Sequence, residues 1–233
     1  MRGPGKADQA SSSRTSPVKI VVISDTHGQH ETLGELEGDV LIHCGDFCLD
    51  QRDAEADIAS LDAWFARQRF RLIVCTGGNH DFEVEARRAR GETVFRHAVC
   101  LQDEGVSLDG VKFHGAPWTP ELSAWAHFKS ERDLREAWSR IPDDTDVLIS
   151  HTPPSGTLDQ NSRGKRCGCP LLRERVDQVR PWLHCFGHIH ASAGMVRGEA
   201  TTSINAAVVN SQYRIARPPF IVDGAPPPRH ARR

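Results

Sequence analysis

Five short apolar runs in this chain break off into the same kind of chemistry. Val18–Ser24 runs into Asp25-Thr26-His27, and Val40–His43 into Gly45-Asp46. Leu72–Cys75 leads to Gly78-Asn79-His80-Asp81, Val147–Ser150 to His151, and Leu183–Phe186 to Gly187-His188-Ile189-His190. A parallel strand buried on both faces reads as a continuous apolar run, and open α/β sheets bind ligands at the carboxyl ends of such strands. Five segments therefore deliver Asp, Asn and His side chains to one edge. This predicts an α/β chain, in the form of an α+β sandwich, with two stacked mixed sheets flanked by helices.

The rest of the chain fits that frame. Asp53–Gln68 carries Ile58, Leu61, Trp64 and Phe65 on one face, the pattern of a helix lying on a sheet. Thr32–Leu36, Glu83–Arg90 and Leu171–Val179 read as further helices. Ser130 with Asp133 forms a capping box for a helix ending near Ile141-Pro142. Val106/Leu108 and Val111/Phe113 flank Asp109-Gly110, a type I′ hairpin signal. Gly194–Val222 reads as short antiparallel strands, and Thr152–Cys169 as a long polar loop. Residues 1–17 read as a disordered tail, with a weak organelle-targeting alternative and no apolar signal core. Residues 18–222 form the domain, and 223–233 a flexible C-terminal tail.

Composition excludes several classes. A net charge of −2 over 233 residues does not suit a nucleic-acid-binding surface, so stable nucleic-acid binding is not expected. No apolar stretch approaches the roughly 18 residues of a membrane span. Seven cysteines, several inside apolar strands, read as small buried hydrophobes of a reducing, cytoplasmic compartment.

Taken singly, the five motifs are weak, since Asp-x-His and Gly-Asp occur often by chance. Taken in order they describe a metal centre. The donors are carboxylates, imidazoles and one amide, with no Cys, which disfavours a structural thiolate zinc site. Seven donors are too many for one tetrahedral ion and suit two ions sharing a carboxylate. Mixed nitrogen and oxygen ligation fits Mn²⁺, Fe, Zn²⁺ or Ni²⁺ better than Ca²⁺. Two such ions can hold a hydroxide between them and clamp a phosphoryl group in an in-line displacement.

The ordered set resembles the calcineurin-like metallophosphoesterase superfamily over about residues 18–222. Gly115-Ala-Pro-Trp118-Thr-Pro120, His151-Thr-Pro-Pro154 and Ile204-Asn205-Ala206 are similar to the branch of the metallophosphoesterase-domain-containing (fetal brain 239-type) proteins. That branch is associated with Mn²⁺-dependent phosphodiesterase activity, including on cyclic nucleotides. The resemblance implies two divalent transition-metal ions, Mn²⁺ first, and a small phosphodiester or nucleotide substrate. It implies that Asp25, His27, Asp46 and His190 hold one ion, and that Asp46, Asn79, His151 and His188 hold the other. His80 would serve as general acid, with Asp81 orienting its ring. Some mammalian members of the branch carry glycine where His188 stands; this chain keeps the histidine.

One departure concerns arginine. The protein-phosphatase subgroup reads Gly-Asp-x-x-Asp-Arg-Gly, whereas here Gly45-Asp46 is followed by Phe47-Cys48-Leu49-Asp50-Gln51-Arg52, with the arginine one place late. Arg163, Lys165 and Arg166 in the long loop are the candidate substrate-binding cations. Trp118 and Trp125 read as core packing first and as a base-stacking surface second. His43 reads as a core histidine. Monoesterase, nuclease and catalytically silent scaffold are the competing readings.

Overall fold

The computed structural model describes residues 17–228; the remainder of both predicted tails lies outside the described residues. The strands are β1 (Val18–Ile23), β2 (Val40–His43), β3 (Leu72–Cys75), β4 (Val99–Cys100), β5 (Glu104–Leu108), β6 (Val111–Ala116), β7 (Val147–Ser150), β8 (Leu183–Phe186), β9 (Gly194–Arg197), β10 (Thr202–Asn205) and β11 (Phe220–Gly224). The helices are α1 (Ala54–Arg67), α2 (Phe82–Ala89), α3 (Glu131–Ser139) and α4 (Pro170–Val179). One sheet runs β11-β1-β2-β3-β4, the other β5-β6-β7-β8-β10-β9. Strands β1–β4 are mutually parallel, as are β6, β7, β8 and β10, while β11, β5 and β9 join antiparallel at the edges.

The two-residue period of a strand sorts side chains into layers. Ile20, Val22, Val40 and Ile42 of the first sheet meet Phe113, Val147, Ile149, Leu183 and Ile204 of the second in the core between them. The alternate residues Val21, Ile23 and Leu41 face outward onto Ile58, Leu61, Trp64 and Phe65 of α1. On the far side, Ala116 and Leu148 pack under α3 and α4 through Leu134, Trp138, Leu172 and Val176. Burial on both faces is why the central strands read as unbroken apolar runs.

Several local expectations meet their physical cause. The Asp109-Gly110 turn has positive φ at both residues, as type I′ requires, and aligns Leu108 with Val111. The Ser130 side chain accepts the Asp133 amide at 3.3 Å, and α3 stops at Ser139, ahead of Pro142. Two expectations need correction. Thr32–Leu36 is no α-helix; one 3₁₀ turn forms over His30–Leu33, closed by Gly34 at positive φ. The segment after Gly194 is not wholly antiparallel, because β10 lies parallel to β8, with Ile204 opposite Cys185. Ile204 is completely buried, and this pairing is what carries it into the core between the sheets.

Candidate metal centre

The five motifs lie at the carboxyl ends of β1, β2, β3, β7 and β8, so each sheet supplies part of one cluster. A parallel bridge from Ser24 to Ala207, with the Val208 amide donating to the Ser24 carbonyl at 3.0 Å, ties the end of β1 to the turn after β10. The chain bends sharply to present the side chains. Asp25, His27, Asp46 and His188 all have positive φ, between 44° and 68°. Non-glycine residues avoid that region, and such strain persists where surrounding structure enforces it, as at functional sites. Close packing fixes the intervening glycines. A Cβ on Gly78 would lie 2.3 Å from an Asp46 carboxylate oxygen, and one on Gly187 would lie 2.1 Å from Asp25.

All seven candidate ligands converge. The donor atoms of Asp25, His27 and His190 lie within 4.8 Å of one another, as do those of Asp46, His151 and His188. A third such group, His27, Asp46 and His80, links them through shared members. The Asn79 side-chain oxygen sits 3.0 Å from His151 Nε2.

The imidazoles show what the cluster is shaped to hold. His27 Nδ1 donates to the Cys48 carbonyl at 3.0 Å, His151 Nδ1 to Cys44 at 2.9 Å, and His190 Nδ1 to Asn210 at 3.2 Å. A carbonyl can only accept, so each Nδ1 carries the hydrogen and each neutral ring turns a bare Nε2 lone pair inward. His27 Nε2 and His190 Nε2 then face each other at 3.4 Å, with Asp25 Oδ1 3.1 Å from the latter. His151 Nε2 likewise meets Asn79 Oδ1 and Asp46 Oδ2, the latter at 3.4 Å. Lone pairs aimed at lone pairs and carboxylates repel unless a cation lies among them, and a backbone carbonyl behind the ring is the usual support of a metal-bound histidine. The residues present fit a pair of divalent ions held by oxygen and nitrogen.

Protons partly answer this repulsion in the protein groups alone. Burial works against a charged His151, yet the charge and hydrogen bond of Asp46, with Asp25 behind, push it up to about 9. Burial also opposes ionisation of Asp25 and Asp46, but His190 for the first and His151 for the second hold both below the usual carboxylate range. His188 goes the other way, down to about 4, through burial and then the positive His151.

His80 stands over the cluster. Its amide donates to Asp46 Oδ1 at 2.9 Å, and its Nδ1 donates to the Leu49 carbonyl at 2.8 Å, leaving Nε2 for the cavity. Asp81 does not orient this ring. As the residue that opens α2, it turns back toward the β2 loop and accepts the amides of Gly78, Asp46, Phe47 and Cys48 at 2.8–3.1 Å. Its work is to hold the Asp46 loop. The orienting group is the Leu49 carbonyl, which no side-chain pattern reveals.

A cavity of about 220 Å³ opens above the cluster, lined by Asp46, Asn79, His80, His188 and His190 and walled by Asn161, Ser162, Ser211 and Tyr213. The candidate cations do not line it. Arg166 pairs with buried Asp159 at 2.7 Å, Lys165 reaches toward Glu121 at 4.0 Å, and Arg163 sits exposed on the loop. The loop presents neutral Asn161 and Ser162 instead. Arg52 turns outward onto Asp50, its side chain 86% exposed. Trp118 belongs to the core, its indole donating to Asp103 at 2.7 Å, whereas Trp125 is 40% exposed with its ring 4.6 Å from that of His80. Tyr213, which sequence reasoning missed, packs on His27 and His190 with ring centres 4.8 and 5.1 Å away. Its signal was faint: it is the sole tyrosine, in a segment with no catalytic pattern.

Comparison with known proteins agrees with this geometry. The family model for calcineurin-like phosphoesterases matches residues 18–192, and the chain belongs to that family. A UPF0046 protein of Caenorhabditis elegans is 33% identical over 93% of this chain and 79% of its own length. Human metallophosphoesterase domain-containing protein 1 is 29% identical over 91% of this chain and 72% of its own. Among solved structures, one crystal structure aligns at TM-score 0.63 with 16% identity, covering 82% of this chain and 90% of that one. GAP50, described as the anchor in the inner membrane complex of Plasmodium, aligns at TM-score 0.50 with 11% identity, covering 82% of this chain and 72% of its own. At such identities the structural likeness concerns the fold. No helix among the described residues is long and apolar enough to cross a membrane, and all seven cysteines are free thiols.

Proposed function

We propose that this phosphoesterase-family protein is a binuclear metal-dependent phosphodiesterase that hydrolyses small or cyclic nucleotide-like phosphodiesters in a reducing, cytoplasmic compartment. The observation that carries the reading is the set of inward Nε2 lone pairs, each backed by a carbonyl, gathered with Asp25, Asp46 and Asn79 around one cavity. Asp25, His27, Asp46 and His190 would hold one ion and Asp46, Asn79, His151 and His188 the other, with Mn²⁺ the first candidate. Bound there, two divalent ions supply an activated water and neutralise charge on the phosphoryl oxygens.

The chain's own groups do the rest. The Leu49 carbonyl holds the His80 ring so that Nε2, when protonated, donates to the departing alkoxide. Asp81 holds the Asp46 loop through the amides of Asp46, Phe47 and Cys48 and ties it to its own turn through that of Gly78. A neutral wall of Asn161, Ser162, Ser211 and Tyr213 suits the single negative charge of a diester better than the double charge of a monoester, which calls for arginine. Half-exposed Trp125 beside His80 offers a flat substituent a stacking face.

A screen with added Mn²⁺, comparing nitrophenyl mono- and diesters with 2′,3′- and 3′,5′-cyclic nucleotides, tests the reading. Diesters should turn over at least tenfold faster than monoesters; equal or reversed preference defeats the diesterase assignment. His80→Ala should cost far more on diesters with poor leaving groups than on nitrophenyl esters. Equal losses on both would remove His80 as the acid.

A further inference from the structure

Asn205 lies at the end of β10, outside the ligand set, and its side chain is completely buried. Its Nδ2 donates to two carbonyls, Ile189 at 3.0 Å and Leu158 at 3.1 Å, and its Oδ1 accepts the Ala207 amide at 3.3 Å. Because carbonyls only accept and an amide only donates, this orientation is fixed by its partners. The two carbonyls belong to different loops. Ile189 separates the ligands His188 and His190. Leu158, itself at φ +50°, stands three residues before Asn161, which with Ser162 walls the cavity. A second tie joins the same loops, from Ser192 Oγ to the Gln160 carbonyl at 2.5 Å.

We infer that Asn205 is a positioning residue that clamps the loop of His188 and His190 to the loop that walls the substrate cavity, so that filling the metal centre orders the wall. Two donors and one acceptor on a short, buried stem are what an asparagine offers. Asp lacks the donors, and Leu, close in size, lacks every polar atom. The inference rests on the metal-centre reading above, and the measurements below separate the two.

The experiment uses the full chain, stripped by chelator and titrated with Mn²⁺ alone. Calorimetry gives the affinity, and amide hydrogen exchange follows residues 156–163 and 187–192. Mn²⁺ should slow exchange in both segments of the wild type. Asn205→Leu should weaken Mn²⁺ binding tenfold or more, the range seen when support behind a ligand is removed. It should also abolish the Mn²⁺-dependent slowing at 156–163. Ser192→Ala, which removes one surface bond, should reduce that slowing without abolishing it, and it serves if the leucine variant does not fold. Wild-type affinity with full slowing at 156–163 in Asn205→Leu overturns the inference, as does unchanged slowing in Ser192→Ala. A wild type that takes up no Mn²⁺ defeats the metal reading instead. The clamp is then decided by the metal-free leucine variant, in which the two segments must lose protection together; loss in one alone overturns it.

Discussion

His43 and His184 lie within β2 and β8, only a few residues before candidate ligands of the proposed metal centre, yet they use the opposite ring nitrogen. His43 Nδ1 accepts the Gly45 amide at 3.3 Å, so its Nε2 carries the hydrogen and donates to Thr26 Oγ1 at 3.0 Å. Ser150 Oγ donates to the Thr152 carbonyl and so accepts from His184 Nε2 at 2.9 Å. In these core rings Nε2 is spent. In His27, His151 and His190 the protein spends Nδ1 on a carbonyl and leaves Nε2 bare. Burial drives His43, His184 and His127 down to about 3, neutral at any ordinary pH, whereas Asp46 and Asp25 drive His151 up against burial. For His27, His151 and His190, what separates these candidate ligands from the packed histidines is the carbonyl behind the ring.

The comparison can be broken most sharply at the candidate ligands. Replacing His188 or Asn79 by Ala should lower turnover by orders of magnitude and leave one ion per chain instead of two, with folding intact. Metal analysis and kinetics in Mn²⁺ check this, and unchanged metal content with wild-type turnover would strip either residue of its assignment. Asp81→Asn probes the support beneath them. Substituting an amide places an NH₂ group against backbone donors, which should cost about 2–3 kcal/mol in urea unfolding and reduce metal affinity about tenfold or more. Retained affinity would show that the Asp46 loop holds its shape without the carboxylate.

Acid and base act on the two populations with opposite sign. For the core rings the folded pKa lies below the unfolded value, so the unfolded chain binds more protons and stability falls as pH drops from about 6.5 toward 3. The three rings shift in the same sense, so their losses add on the acid flank. For His151 the folded pKa lies above the unfolded one. Its contribution is present below about 6.5 and fades as pH rises through about 9. Urea melts of chelator-treated protein across pH should therefore weaken on both flanks. A flat acid flank would mean that the core rings titrate freely.

The smallest effect is expected at His127, fully buried, with neither ring nitrogen hydrogen-bonded. His127→Leu keeps the volume and removes two unpaired polar atoms, so stability should rise by about 1 kcal/mol with turnover unchanged. A clear loss would reveal a bridging water or a functional partner for that ring.

Much of this was legible along the chain because both signals are local. The strands are continuous apolar runs, and their terminal Asp, Asn and His residues mark the site wherever parallel strands end. Asp109-Gly110 announced its turn, and Ile58, Leu61, Trp64 and Phe65 announced the buried face of α1. What required the tertiary structure were relations between segments distant in sequence. Asp81 looked like the partner of its neighbour His80, but the N-terminal bend of α2 turns it toward amides some 34 residues upstream. Arg163, Lys165 and Arg166 looked like phosphate binders, but the loop path sends Arg166 to Asp159 and turns neutral residues inward. Tyr213 reaches the site from a segment with no local pattern, and Asn205, though part of the Ile204-Asn205-Ala206 motif, shows its role only through bonds to two loops distant in sequence.

The sequence by itself determined the fold class and the donor chemistry, because side-chain type and periodicity along a strand suffice for both. Which nitrogen of each histidine is free, which carboxylate supports and which could bind, and which loop walls the cavity were decided by the tertiary structure. Those outcomes depend on backbone carbonyls and amides that every residue carries alike, and only folding places them.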